Sequence, residues 1–455
     1  MKRLLLFTVL ILSCVVRIPL LAAEARPNIL VIVGDDMGFA DVGFHGCRDI
    51  PTPNLDALAA LGVRFSNGYV SGPYCSPTRA GLMTGRYQQR FGHEFNSGGA
   101  GGGLPVTETT LANRLKAVGY TTGLIGKWHL GGSEAMHPQR RGFDEFFGFL
   151  GGAHDYFDPK GVLRGTAPAN EQSYLTDAFG REATSFIEKH KGQPWFLYLA
   201  FNAVHTPMQA DDVRLTKFAG ITDKTRRTYA AMMLAMDDAI GSVRRKLAET
   251  GQEQNTLVTF ISDNGGPTMP GVTINGSVNT PLRGSKRTTL EGGVHVPFVI
   301  SWPGRIKPGE FAQPVIQLDL HATALSAAGI DVKPEWKLDG VNLLPFLSGD
   351  KSGSPHDALF WRFGEQTAIR AGDFKLVRYD LTADSLPGML KQGISTVQLY
   401  NLRDDLGETK DLAASQPDKV RELQQQWDRW NASNIPPGTT DGNPTTPTKK
   451  KRKQQ

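Results

Sequence analysis

The sequence predicts an α/β protein: a large mixed, mostly parallel sheet sandwiched by helices, followed by a small C-terminal subdomain built on an antiparallel sheet. Three observations carry this. The runs NILVIVGDD (Asn28 to Asp36), PWFLYLAFN (Pro194 to Asn202) and TLVTFISDNGG (Thr256 to Gly266) are apolar without alternation, as strands covered on both faces are, and each stops in polar residues. Helical stretches lie between them. From about Asp357 the texture changes to short segments of period two.

Ahead of the first strand stands a leader. Lys2 and Arg3 precede an apolar run from Leu4 to Val16, and Ala23-Glu24-Ala25 offers a cleavage site, so the chain reads as exported, periplasmic or secreted. The run is too short to cross a bilayer comfortably and Arg17 interrupts it, so no stable membrane insertion is expected. Val15, Val16 and Arg17 after Cys14 make a poor lipoprotein start. After the first strand, helices are expected at Asn54 to Leu61, after Arg79, at Thr110 to Val118 and around Arg226 to Thr250. In the last of these, Tyr229, Met232, Met233, Met236, Ile240, Val243 and Leu247 recur at three- and four-residue steps and form a core face. ALFWRF, TAIRAG, FKLVRYD and VQLYNL supply the antiparallel sheet, and Arg421 to Trp430 a terminal helix. Beyond Asn434 the chain is too poor in apolar residues to order itself. The expected division is a signal at 1–25, a catalytic α/β domain at 26–355, a C-terminal subdomain at 356–433 and a basic tail at 434–455. No repeat stands out.

The formal net charge of the 455 residues is +5, and removing Lys2, Arg3, Arg17 and Glu24 with the leader lowers it to +3. Five cations, Lys449, Lys450, Lys451, Arg452 and Lys453, sit in the tail, which leaves the body at about −2. A body without surplus positive charge argues against nucleic acid as a partner. Oligomeric state cannot be read from the chain. Only Cys47 and Cys75 follow the leader, too few for a disulfide framework, although one bridge between them stays open. Asn275-Gly276-Ser277 and Asn431-Ala432-Ser433 fit glycosylation acceptors that would matter in a eukaryotic secretory pathway.

Parallel sheets bind ligands beyond the carboxyl ends of their strands, and carboxylates fall there. Asp35 and Asp36 end the first run; Asp263 and Asn264 end another, more than 200 residues later. Brought together, three carboxylates and an amide oxygen repel unless a cation holds them, and oxygen donors favour Ca²⁺ or Mg²⁺ over zinc. The alternative is that each residue caps a helix or turn.

Within PYCSPTRAGLMTGR (Pro73 to Arg86), CSPTR resembles the C-x-P-x-R maturation signature of the sulfatases of the alkaline phosphatase superfamily. GDDMGFADVG, TPNLDALAA, GKWHLG, RGFDEFFGF, HTP, SDNGG, TPLRGSK and EGGVHVPF are similar to further family blocks in family order, from about Pro27 to Trp430. The resemblance implies an alkaline phosphatase-like sheet. It also implies that a formylglycine-generating maturation enzyme oxidises Cys75 to formylglycine (3-oxoalanine), whose hydrate attacks sulfur and later collapses to expel sulfate. By the same resemblance one Ca²⁺ is held by Asp35, Asp36, Asp263 and Asn264 together with residue 75. Arg79 and Lys127 hold the diol and the sulfate, His129 is the base of the collapse step, and His205 and Lys286 lie at the substrate oxygens, one of them protonating the leaving alcohol. The implied substrate is an O-sulfate ester of a carbohydrate, or an aryl sulfate.

His295 stands in EGGVHVPF where family members often carry Arg, so it is left out of the catalytic set and is expected to shape the rim or simply to pack. His154, Asp155 and Tyr156 lie in a Gly-rich stretch, either contacting a sugar or forming an ordinary loop. Gly98 to Gly103 is a flexible segment bordering the site. A phosphatase or phosphonate monoester hydrolase of the same superfamily would share the metal site, and an inactive glycan-binding homologue would share the fold.

Overall fold

The computed structural model describes residues 26–96, 102–385 and 390–436. The leader with Cys14, most of the tail, and residues 97–101 of the Gly-rich segment lie outside the described residues. Strands occur in chain order at Asn28–Gly34 (β1), Val63–Phe65 (β2), Gly68–Tyr69 (β3), Thr121–Lys127 (β4), Glu145–Phe149 (β5), Leu163–Arg164 (β6), Ala167–Pro168 (β7) and Trp195–Ala200 (β8). Thr256–Ser262 (β9), Phe298–Ser301 (β10), Gly309–Phe311 (β11) and Val315–Ile316 (β12) follow, and then Leu359–Phe363 (β13), Gln366–Ala371 (β14), Phe374–Arg378 (β15) and Gln398–Asn401 (β16).

Ten strands form the main sheet in the order β11-β2-β10-β9-β1-β8-β4-β5-β6-β7. Its centre, β9-β1-β8-β4-β5, is parallel, and β10 runs antiparallel to both its neighbours. The fold class read from the apolar runs is therefore the one observed. All three runs are strands of that centre, and every residue of β1, β8 and β9 is buried. Alternate residues of these strands serve opposite layers. Leu30, Ile32, Leu197 and Leu199 pack against the helices Leu175–Lys189 and Lys224–Glu249, with Tyr229, Met232, Met233, Met236, Ile240, Val243 and Leu247 all in that core. Ile29, Val31, Val33, Phe196 and Tyr198 face the helices Cys75–Thr84, Leu111–Lys116 and Asp319–Ala327.

The remaining four strands, β13 to β16, form an antiparallel meander covered by the helix Pro417–Asn431. Buried ion pairs tie it to the main body. Lys375 on β15 reaches Glu291 at 2.8 Å and Glu408 at 3.0 Å, all three side chains being fully buried. Arg362 on β13 grips Glu94 through two nitrogens. No helix among the described residues is long and apolar enough to cross a membrane.

Candidate active site

β1 and β9 pair in parallel with Gly34 opposite Ser262, so the residues after each strand leave the sheet side by side. The Asp36 amide donates to Asp263 Oδ1 at 3.3 Å, and Asn264 Nδ2 donates to Asp36 Oδ1 at 2.7 Å. Asp36 takes a left-handed backbone (φ 60°), a conformation aspartate tolerates better than most residues. Cys75 opens the wholly buried helix Cys75–Thr84, where helical N–H groups and the helix dipole favour negative charge. Its Sγ lies 3.7 Å from Asp35 Oδ1. The head of this helix is pinned from outside: Asn96 accepts from the Ser76 amide, and the Ser76 hydroxyl donates to the His129 carbonyl at 2.6 Å and meets His93 Nε2 at 2.7 Å.

Cations close the cluster. One turn after Cys75, Arg79 reaches Asp263 at 2.9 Å and Asp35 at 3.4 Å. Lys127 ends β4 and reaches Asp35 at 2.5 Å. Gly126 just before it has φ 115°, and a Cβ there would lie 1.8 Å from the Ala200 carbonyl oxygen, so only glycine lets β4 approach β8 at this point. Lys286 reaches Asp36 at 2.7 Å and His205 Nε2 stands 3.6 Å from it. His129 follows Lys127 by two residues; Gly152 packs against its ring, and its Nδ1 is buried without a hydrogen-bond partner.

Burial would raise the Asp35 carboxyl, but Lys127, His205, Arg79 and Lys286 outweigh it and hold it well below the usual range. For Asp263 burial wins, helped by the charge of Asp35, and its pKa is raised. Burial pushes the Cys75 thiol up to about 12, so at neutral pH it is not a thiolate. Burial, and then Lys127 and Arg79, keep His129 neutral.

The donor set fits a hard cation. One atom each from Asp35, Asp36, Cys75 and Asp263 lies within 4.8 Å of the others, and Asn264 Oδ1 is buried beside them with no hydrogen-bond partner. All ten sequence-derived site residues thus converge on one locus: Asp35, Asp36, Cys75, Arg79, Lys127, His129, His205, Asp263, Asn264 and Lys286. Among the described residues Cys47 and Cys75 are both free, which excludes the bridge between them.

The sequence reading missed the groups that brace this cluster. Tyr198 on β8 lies 3.4 Å from Arg79 Nη1. Tyr156, one of the loop residues weighed for sugar contact, is fully buried; its hydroxyl lies 2.6 Å from the Asn202 carbonyl and 2.8 Å from that of His205. Asp155 accepts from Gln209 Nε2, whose oxygen in turn accepts from the Tyr156 amide, and both ring nitrogens of His154 face backbone carbonyls. Asn275, which the glycosylation pattern picked out, is buried, and its amide donates to the carbonyls of Asp36 and Val204. His295 is fully buried between Glu291 and the Ser66 carbonyl, so of the two expectations for it, packing holds.

Two concavities border these elements. The larger, about 380 Å³, lies between β4, β5 and the helix Leu175–Lys189, and on its walls Arg164 pairs with Glu182 and Lys189 with Glu145. The smaller, about 150 Å³, is walled by His205 and Lys286 and therefore opens onto the charged cluster.

Residues 27–330 match the sulfatase family model, and residues 284–430 match the model of the N-sulphoglucosamine sulphohydrolase C-terminal region. The chain is 34% identical to N-acetylgalactosamine-6-sulfatase of Mus musculus, covering 83% of this chain and 79% of that one, and 34% identical to arylsulfatase A of Bos taurus, covering 87% and 85%. Among solved structures, Ps i-CgsB in complex with k-i-k-neocarrahexaose superposes with a TM-score of 0.82 at 36% identity, over 91% of this chain and 94% of that one. The phosphonate monoester hydrolase of Agrobacterium radiobacter shares the fold, with a TM-score of 0.62 at 22% identity over 90% and 96%. A family match over most of the chain, on a fold that gathers the family's motif residues into one buried charged cluster, makes this chain a member of the sulfatase family and a sulfuric ester hydrolase.

Proposed function

We propose that the protein hydrolyses O-sulfate esters of carbohydrates, releasing inorganic sulfate, with residue 75 in its formylglycine form and one Ca²⁺ in the site. The observation that carries this reading is the position of Cys75: at the head of a buried helix, among three carboxylates and the basic side chains of Arg79, Lys127 and Lys286, beside a cavity walled by His205 and Lys286. The carbohydrate part of the proposal is supported by the names of relatives, an N-acetylgalactosamine-6-sulfatase and a neocarrahexaose complex.

Asp35, Asp36, Asp263 and Asn264, with residue 75, would hold the ion. Bound there, Ca²⁺ supplies positive charge to the reacting oxygens, and oxidised residue 75 supplies an oxygen nucleophile with a second hydroxyl for release of sulfate. The chain's own residues do the rest. Arg79 and Lys127 set fixed positive charge beside residue 75, where negative charge shifts over the sulfuryl oxygens. The Thr206 carbonyl can only accept, so the His205 Nδ1 2.6 Å away carries hydrogen and Nε2 is the atom that exchanges a proton. His205 Nε2 or Lys286 Nζ then serves the leaving alcohol, both lining the cavity. The buried neutral His129, with Nδ1 unpartnered, is suited to take a proton from the residue 75 hydrate.

The test is sulfate released from sulfated polysaccharides, oligosaccharides and aryl sulfates by protein co-expressed with a formylglycine-generating enzyme, with Cys75→Ala as blank and matched phosphate esters alongside. Release from a sulfated saccharide is the expected result. Protein with a verified aldehyde at residue 75 that releases none, or that cleaves phosphate esters faster, would refute it.

A further inference from the structure

We infer that Arg287 builds a subsite for a second anionic group of the substrate, so that the protein prefers saccharides carrying another oxyanion, a sulfate or a carboxylate, close to the scissile sulfate. The inference rests on the carbohydrate sulfatase reading above and extends it.

The 150 Å³ cavity that opens onto the reacting centre is lined by Lys286, His205, Arg287, Tyr74 and Asn96 together with residues 271–273. The two neighbouring cations are in different states. Lys286 is matched by Asp36 at 2.7 Å. Arg287 has no carboxylate within ion-pair distance among the described residues; its contacts are a 3.4 Å hydrogen bond from Nη1 to the Gly271 carbonyl and the face of Tyr74 at 5.8 Å. Its Nε is buried with no hydrogen-bond partner. A guanidinium fork that lines a cavity, half-buried and without a carboxylate partner among the described residues, is arranged for a planar or tetrahedral oxyanion.

The backbone holds this position against its own preference. Arg287 has φ 72°, a left-handed conformation that a long side chain adopts at a cost, and two hydrogen bonds impose it: its amide donates to the Pro73 carbonyl at 2.7 Å and its carbonyl accepts from Gln366 Nε2 at 2.9 Å. Both partners fix the backbone of residue 287 relative to the centre, since Pro73 lies two residues before Cys75 and Gln366 lies on β14 of the C-terminal sheet. Tyr74 sits beside both cations, 5.4 Å from Lys286 Nζ and 5.8 Å from Arg287 Cζ, and so offers a ring face between the scissile group and the second anion.

The test measures binding with turnover switched off. Protein left with the Cys75 thiol is titrated calorimetrically, at fixed ionic strength, with three saccharides of equal length: one bearing a single sulfate, one bearing two, and one bearing a sulfate and a uronate carboxylate. The expected result is that at least one doubly anionic saccharide binds about tenfold tighter than the singly sulfated one, about 1.4 kcal/mol. The saccharide that gains identifies the second anion as sulfate, carboxylate or either. Arg287→Gln should bring that difference within about twofold, and Arg287→Lys, which keeps the charge but loses the fork, should retain part of it. Both backbone hydrogen bonds survive these substitutions, and coincident urea unfolding curves check the fold. Equal affinity for all three saccharides, or a preference undiminished in Arg287→Gln, overturns the inference. Sulfate release by the matured enzyme is scored separately, so a preference that persists without any turnover would refute the sulfatase reading while leaving the subsite standing.

Discussion

Tyr156→Phe separates a sugar contact from a brace. The hydroxyl is buried and lies within hydrogen-bond distance of the carbonyls of Asn202 and His205. The Asn202 carbonyl also receives the His205 amide at 2.8 Å, so it stays satisfied when the hydroxyl is removed. The part-buried His205 carbonyl then loses its partner, at about 1–3 kcal/mol if water does not replace it. If about 1.4 kcal/mol of this is released by displacement of the His205 loop, the ratio of molecules with the imidazole beside Asp36 to molecules with it displaced falls about tenfold. The expected outcome in the matured enzyme is a kcat lowered by up to about tenfold, KM within about twofold, and a loss of about 1–2 kcal/mol in urea unfolding. A raised KM with unchanged kcat and stability would refute the bracing argument and return Tyr156 to the sugar.

Cys75→Ala should abolish sulfate release while leaving urea unfolding unchanged; residual release above background would exclude residue 75 as the nucleophile. Thorough chelation should remove activity, Ca²⁺ should restore it, and the chelated protein should unfold at lower temperature because the ion binds only the folded state; full activity after chelation would exclude the metal. Arg79→Met leaves three buried carboxylates facing two permanent cations, so stability should fall by about 3–5 kcal/mol and kcat by at least about a hundredfold; a drop under tenfold would remove Arg79 from the charge-stabilising set. Glu408 has its pKa raised to about 7, chiefly by burial and further by Glu291, with Lys375 opposing. The folded protein therefore binds a proton that the unfolded chain, at the ordinary 4.5, has lost. Stability from this group is fully present below pH 4.5 and disappears as pH rises through 7, on the order of 3 kcal/mol. Glu408→Gln should flatten that part of a urea-unfolding profile taken from pH 5 to 8; an identical slope would show that Glu408 keeps its charge.

What the sequence revealed and what it hid divide along a physical line. β1, β8 and β9 were legible because strands buried on both faces need unbroken apolar runs, and the carboxylates ending β1 and β9 were legible as a pair because parallel pairing leaves both sets of ends on one side. β4 escaped the same reading: TTGLIGK is weak in apolar residues because Gly123 and Gly126 make room for Phe186 and for the Ala200 carbonyl. The helix Leu175–Lys189 was missed for the lack of a marked start, its N-cap Tyr174 having no capping side chain. Within the site, residues that meet the chemistry through charge stood out as motifs. Residues that hold backbone carbonyls did not show that role: Tyr156 reads as a sugar contact or plain loop and Asn275 as a glycosylation acceptor, because the positions of those carbonyls exist only once the chain is folded.

The charge balance of the cluster explains why so many ionisable groups can be buried together. Counted formally, three acidic side chains, Asp35, Asp36 and Asp263, face three basic ones, Arg79, Lys127 and Lys286, each carboxyl group lying within 3.4 Å of at least one of the basic nitrogens. The protein thus keeps a dense charged centre at no net charge, which limits the cost of desolvating it. A divalent ion held by the same carboxylates, as proposed above, would bring the formal total to +2. That surplus is uncompensated until an anionic ester arrives, so binding and charge stabilisation draw on one electrostatic imbalance. An additional unmatched cation at the rim, Arg287, extends the imbalance beyond the reacting atoms, and selectivity for a second anion follows from the same physics that favours the first.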